Sequence, residues 1–398
     1  MKFYKMLMVL CIAGIFQITS AQNVSIHGFI SQGLIYSTEY DYLAKNSQEW
    51  STELQEIGIN FQKDVSKELH VGIQFLARDI GVYGNGKISI DWAYGDYFIS
   101  DAFRIAVGRI KNHLGFYTDI QDLDFFRTWA ILPSYFYDPG LRSINSNVDG
   151  FQLHGNIKLK ELGDLNYNIT YGGVKTDKTS DISAYVAQIV PIPIETVKVK
   201  SNFSANFLYN TPFNGLRLNA TYYLVKDVKF TSFQQVQNSE TFRNHMDFDQ
   251  NTIYLGAQYY IDDFEFVCEY SRSTRNMKNY ISLVSTQDPS ASSKMGGSMN
   301  NDISFHGGYF GVTYRPTAFF GIGGYYQKSL QNIDISSKDP QNRGDDLAIS
   351  LAFYPTDNTI VKLEGHYVEG TGLLSKALNS SFDEETWLYG VFKVSYNF

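Results

Sequence analysis

From Val24 to the C-terminus, apolar and polar residues alternate in segments of about ten residues, the period-two pattern of a sheet whose two faces meet different surroundings. Leu69, Val71, Ile73, Phe75 and Ala77 interleave with His70, Gly72, Gln74, Leu76 and Arg78. The same holds for Phe151, Leu153, Gly155, Ile157 and Leu159 against Gln152, His154, Asn156 and Lys158, and for Phe203, Ala205 and Phe207 against Lys200, Asn202, Ser204 and Asn206. Such segments start near Val24, Leu54, Leu69, Lys87, Phe103, Phe151, Leu165, Val199, Leu216, Thr252, Phe264, Phe305, Phe319, Leu347, Ile360 and Thr386. That predicts about 16 strands, an even number, which an antiparallel bacterial barrel needs in order to close.

The connections alternate between short and long. Short ones, such as Asn210 to Gly215 and Pro355 to Asn358, are built from Pro, Asn, Asp and Gly. Long ones run Thr38 to Ser51, Lys111 to Asp149, Lys175 to Lys198, Lys226 to Asn251, Arg275 to Ser304, Ser329 to Gly344 and Glu369 to Glu385. Placing every long loop at one end is the habit of an outer-membrane barrel, with short periplasmic turns and long extracellular loops. A soluble sandwich also alternates, but a polar inner face in so many strands would leave it no core. Aromatic pairs at Tyr222 and Tyr223, Tyr259 and Tyr260, Phe319 and Phe320, and Tyr325 and Tyr326 suit interfacial girdles.

Lys2 and Lys5, an apolar run from Met6 to Ile18, then Thr19, Ser20 and Ala21 follow the order of a secretory signal peptide, expected over residues 1–21, with the barrel over 22–398. Past that segment no apolar run is long enough for a spanning helix. The formal charge is −8, which points away from nucleic acid as a partner, and Cys268 is the only cysteine beyond the signal segment, so neither an intramolecular disulfide nor a multi-cysteine metal site is expected.

Two stretches carry a resemblance. The last strand ends in Tyr396, Asn397 and Phe398 and looks like the C-terminal strand of Gram-negative outer-membrane barrels, whose terminal aromatic is part of the signal read by the barrel assembly machinery. The stretch from Phe103 through Gly108, Arg109, Lys111 and Gly115 to Asp149 and Gly150 is similar to the fifth strand and third loop of Gram-negative porins, including the phosphate-selective-porin-like branch. No arginine and lysine ladder of a dedicated phosphate channel is evident. The resemblance implies a homotrimer in the outer membrane beside lipopolysaccharide, with the loop over 111–149 folded into the lumen as a constriction. Phe116, Tyr117, Phe125, Phe126, Trp129, Ile131, Leu132, Tyr135, Phe136 and Tyr137 make that loop too apolar to be solvated, which agrees.

A barrel of this size leaves an aqueous channel, so its function reduces to pore width and to charge at the narrowest point. Strand parity turns Arg78, Arg104, Lys158, Lys200, Arg217, Lys362 and Lys393 inward, against Glu56, Asp91, Glu265, Glu269 and Glu364. For the constriction the expected basic side is Arg104, Arg109, Lys111 and Arg127, and the acidic side Asp119, Asp122 and Asp124. Strict alternation would point Arg109 outward, so its lumenal placement requires a bulge near Gly108. His27, His70, His154 and His366 also face inward, on separate strands, and read as pore lining rather than metal ligands. Asp334 to Asp346 lacks EF-hand spacing, and Met295 to Ser298 reads as a loop tip. No cofactor or metal is expected. The expectation is a porin for passive diffusion of small hydrophilic solutes and ions, with a weak anion preference; the alternative is a channel specific for an anion, carboxylate or sugar. An outer-membrane enzyme or adhesin is disfavoured because no Gly-x-Ser-x-Gly motif or comparable cluster appears.

Overall fold

A computed structural model describes residues 24–174, 176, 180–189, 194–235, 241–284, 292–331, 339–376 and 378–398; the signal peptide expected over 1–21 and Asp334 lie outside them. The first eight strands are β1 (Ser25–Ser37), β2 (Leu54–Asp64), β3 (Leu69–Ile80), β4 (Ile88–Ser100), β5 (Phe103–Lys111), β6 (Asn147–Lys158), β7 (Asp164–Val174) and β8 (Ile194–Asn210). The rest are β9 (Leu216–Gln235), β10 (Thr241–Ile261), β11 (Phe264–Val284), β12 (Ser292–Tyr314), β13 (Phe320–Gln331), β14 (Arg343–Thr356), β15 (Thr359–Glu369) and β16 (Thr386–Asn397). Each pairs antiparallel with its sequence neighbours, and β1 pairs with β16, so the sheet closes on itself. Closure leaves no edge strand with unpaired backbone groups, which a hydrocarbon surrounding demands.

The alternation sorts the two faces as expected. Val107, Phe151, Leu255, Leu363, Leu388 and Phe392 stand exposed on the outer face, while Gln74, Gln152, Asn202, Asn206, Gln258 and Gln327 are buried on the other. Two of the aromatic pairs split across the wall: Tyr222 and Tyr326 are exposed, Tyr223 and Tyr325 buried, so only one of each of these two pairs can serve a girdle. Parity forces this, because successive side chains point to opposite faces.

Two expected loops are strands. β9 and β10 continue to Gln235 and from Thr241, and β11 and β12 to Val284 and from Ser292, so much of Lys226–Asn251 and Arg275–Ser304 is paired sheet, with Gly296 to Ser298 in a register shift of β12 between the paired Met295 and Met299. These four strands hold 20 to 23 residues each, about twice the roughly 9–11 that cross a bilayer. Polar residues such as Asn276, Lys278 and Asn279 interrupt the alternation in these extensions, so the period-two signal fades there.

The barrel is sealed at its last residue. Phe398 N donates to Gly28 O at 3.0 Å and Gly28 N to Phe398 O at 2.9 Å, and a Cβ on Gly28 would lie 2.3 Å from the Phe398 ring. Gly28→Ala is therefore expected to displace that ring at a cost of about 1–3 kcal/mol. A lower temperature for converting the compact electrophoretic form to the unfolded one checks it.

Candidate functional site

The segment joining β5 to β6 has little regular structure of its own: one turn of 3₁₀-helix at Asp124–Phe126 and a short helix, α1 (Arg142–Asn145). Its order comes from contacts with the polar face of the barrel. Three of its aromatic rings lie over wall glycines: a Cβ would lie 2.6 Å from Phe116 at Gly256, 2.3 Å from Trp129 at Gly311 and 2.1 Å from Tyr135 at Gly307. Trp129 makes edge contacts with Tyr117, Tyr309 and Tyr325. Together with Leu132, Phe136 and Tyr137 these rings form one buried cluster with wall residues of β7 to β14. Such burial removes the mismatch of an oily loop in water.

Wall carboxylates fix the backbone of the same segment. Glu364 accepts from Ala130 N at 2.7 Å and Ile131 N at 2.8 Å, and also from the Ser350 hydroxyl. Its other neighbour, His366, lies 2.9 Å from both Glu364 and Asp346 and stacks on Tyr389. Glu269 accepts from Phe116 N at 2.9 Å and from the hydroxyls of Tyr137 and Tyr309. Gln327 accepts from Tyr135 N at 3.0 Å. Each satisfies a buried backbone N–H that has no ladder partner.

Two ion networks complete the attachment. In the first, Arg142 bridges Asp91 on β4 and Asp122 of the segment, both at 2.6 Å, and Lys111 lies 3.2 Å from Asp122 and 3.4 Å from Asp91. Asp91 reaches inward because β4 carries a bulge there: Gln74 pairs with Trp92 and Phe75 with Ile90, leaving Asp91 as the extra residue. In the second, the Asp124 carboxylate meets Lys393 at 2.9 Å, Arg127 at 3.0 Å, Lys362 at 3.6 Å and the Ser395 hydroxyl at 2.6 Å. Lys362 also donates to the carbonyls of Asp124 and Trp129, and Lys393 reaches Glu56 at 3.4 Å. Burial opposes ionisation of Asp124, but Lys393, Lys362 and Arg127 outweigh it and hold its carboxyl well below the usual carboxylate range.

Of the residues expected at a constriction, the structure thus joins Lys111 to Asp122, and Asp124 to Arg127, Lys362 and Lys393. Asp119 faces His113 at 3.5 Å, and Arg104 pairs with Asp96 beside His154. Arg109 lies elsewhere: it sits opposite Ala93 and Asp149 in an unshifted register and pairs with the Asp149 carboxylate at 3.4 Å. The bulge expected at Gly108 occurs instead across the ladder, at Asp91. Arg78 and Arg217 face inward, Arg217 beside Gln258 and over the Phe116 ring.

Lys200 is a correction to the expected lining. The alternation slips at Lys200 and Ser201, where Gly172 pairs with Asn202 but Val174 with Val199, and again in β9, where Asp227 has a φ of 51°. Val197, Val199, Val228 and Phe230 are buried as a result, and Lys200, 74% exposed, pairs with Asp227. Lys158 is 75% exposed near the short turn, beside Asp164. Sequence reasoning passed over Arg142 as a site residue; its signal was a cation inside an apolar loop that must find buried carboxylates. Among the described residues no group of three or more His, Cys, Asp or Glu is placed to hold a metal.

No protein-family model matches this chain, and no curated protein matches it by sequence. Solved structures do match its fold. OmpT of Vibrio cholerae in its trimer form is 13% identical, with 95% of this chain and 100% of that one covered and a TM-score of 0.55. The outer-membrane channel DcaP of Acinetobacter baumannii is 12% identical over 96% and 99% of the two chains, TM-score 0.55. An anion-selective porin from Comamonas acidovorans is 12% identical over 94% and 99%, TM-score 0.53. Likeness at this identity, over nearly the full length of both partners, gives the chain the closed sixteen-stranded fold of Gram-negative outer-membrane porins.

Proposed function

We propose that the protein is an outer-membrane porin in which the segment over 111–149 lies within the lumen and narrows a channel for small hydrophilic solutes and ions. The observation that carries this reading is the set of contacts by which one loop touches inward side chains from β4 round to β16; a loop outside the barrel could not reach them all. Asp122, Asp124, Lys111, Arg127, Lys362 and Lys393 neutralise one another there, so they hold the loop rather than present a free field across the pore. Selectivity then falls to lumenal charges in reach of solvent, chiefly Arg104, whose side chain is 36% exposed while its partner Asp96 is buried behind it at 7%, and gives a weak anion preference. We propose further that the chain assembles as a homotrimer in a lipopolysaccharide-bearing membrane, with Phe398 part of the signal to the assembly machinery.

Single-channel conductance of the refolded protein in a planar bilayer tests the reading. Stepwise openings with an anion-side reversal potential under a salt gradient are expected. Silence from a heat-modifiable, folded barrel overturns it. Arg104→Gln leaves Asp96 without its cation and is expected to lower the anion-to-cation permeability ratio on the order of twofold, as befits one charge acting through water.

A further inference from the structure

The connection between β7 and β8 contains a second helix, α2 (Asp181–Ile189), packed against α1 and β8. Ile182 joins the buried cluster of Ile144, Val197 and Val199. Tyr185 lies close over Gly140, where a Cβ would come within 2.7 Å of its ring. Asp181, at the start of α2, is held by β3 and the turn that follows it. Its Oδ2 accepts from Arg78 Nη2 at 2.7 Å, and its Oδ1 from Gly84 N at 3.0 Å. Arg78 also donates to Pro139 O at 2.6 Å, so one guanidinium holds both α2 and the loop over 111–149.

Arg78 forms part of the wall of a cavity of about 70 Å³ between barrel and loop. Arg127, Arg142 and Lys393 line it too, with Glu56 and Asp122, and these three cations are already met by Asp124, Asp91 and Asp122. Arg127 is 7% exposed and its Nε has no partner. A guanidinium fork beside a backbone N–H is the arrangement that grips both oxygens of a carboxylate, and Asp181 shows that it does so here.

We propose that Arg78 and the Gly84 N–H, beside this cavity, bind the carboxylate of a small permeating anion, and that Asp181 is the tethered occupant of that site. While Asp181 is seated, α2 is latched against the loop. A solute carboxylate that takes its place frees α2 and widens the passage. The inference rests on the porin reading above and adds a solute class and a gate to it.

The test uses the full-length protein in a planar bilayer at constant ionic strength, with acetate replacing chloride and neutral acetamide as control. Wild type is expected to raise its open fraction with acetate and not with acetamide. Asp181→Asn is expected to open about tenfold more often in chloride, the effect of losing one charge-assisted hydrogen bond, and to respond little to acetate. Asp181→Glu should keep the latch. Arg78→Gln should lose the acetate response, and heat modifiability verifies that each variant is folded. Conducting variants whose gating equals wild type, or an equal response to acetate and acetamide, overturn the latch and leave the porin reading intact. Folded barrels that never conduct overturn both.

Discussion

Asp124→Ala is expected to release the middle of the loop over 111–149 and leave the barrel closed. The carboxylate is the common anion for Lys393, Lys362 and Arg127, all buried. Without it three cations face one another with Glu56 and Glu364 as the carboxylates left beside Lys393 and Lys362, and removing one member of a buried charge network costs about 3–5 kcal/mol. The ladder from β1 to β16 uses none of these groups, so the cost falls on the loop. Larger and noisier single-channel conductance, with faster proteolysis at 120–140, checks it; unchanged conductance and cleavage would show that the aromatic seats alone hold the segment. Asp124→Asn separates charge from shape and should reproduce most of the effect. Acid should reproduce it late. Because the folded carboxyl sits well below the unfolded value of about 3.9, its contribution is complete above that value and is lost only as pH falls toward the folded one.

The barrel was legible in the sequence because a wall between hydrocarbon and water prints period two on every strand that crosses it. Leu69 to Arg78 and Thr386 to Phe398 show this directly. Legibility failed where polar residues interrupt the period: in the far ends of β9 to β12 the sequence carries no clean alternation, so Thr241 to Asn251 and Ser292 to Ser304 read as loops. It failed again at single-residue slips. The Lys200 and Asp227 region reverses facing through irregularities that parity cannot anticipate, which put Lys200 on the wrong side. The apolar content of the loop announced that it must pack against something, and the glycines at 256, 307 and 311 are what receive it. No pattern linked Trp129 to Gly311 or Asp124 to Lys393, because those pairs lie far apart in the chain and meet only once the sheet has closed.

Trp129→Ala probes the other half of the attachment. The indole is 2% exposed, seated over Gly311, with Tyr117, Tyr309 and Tyr325 edge-on around it. Truncation leaves a cavity bounded by three rings and a glycine, and none of the four can move in to fill it: the tyrosines are held by Glu269, Asp346 and Glu265, and the glycine is part of the ladder. The expected loss is about 3–5 kcal/mol, the range for a large aromatic removed from a site that does not collapse. Urea unfolding in detergent micelles, read by tyrosine and tryptophan fluorescence, measures it. Gly311→Leu presses on the same contact from the opposite side and should also loosen the loop, since the new side chain occupies the space of the indole. Trp129 and Asp124 lie five residues apart in one segment, so the double variant with Asp124→Ala should lose less than the sum of the single losses: once either anchor is gone, the other holds a segment that is already partly free.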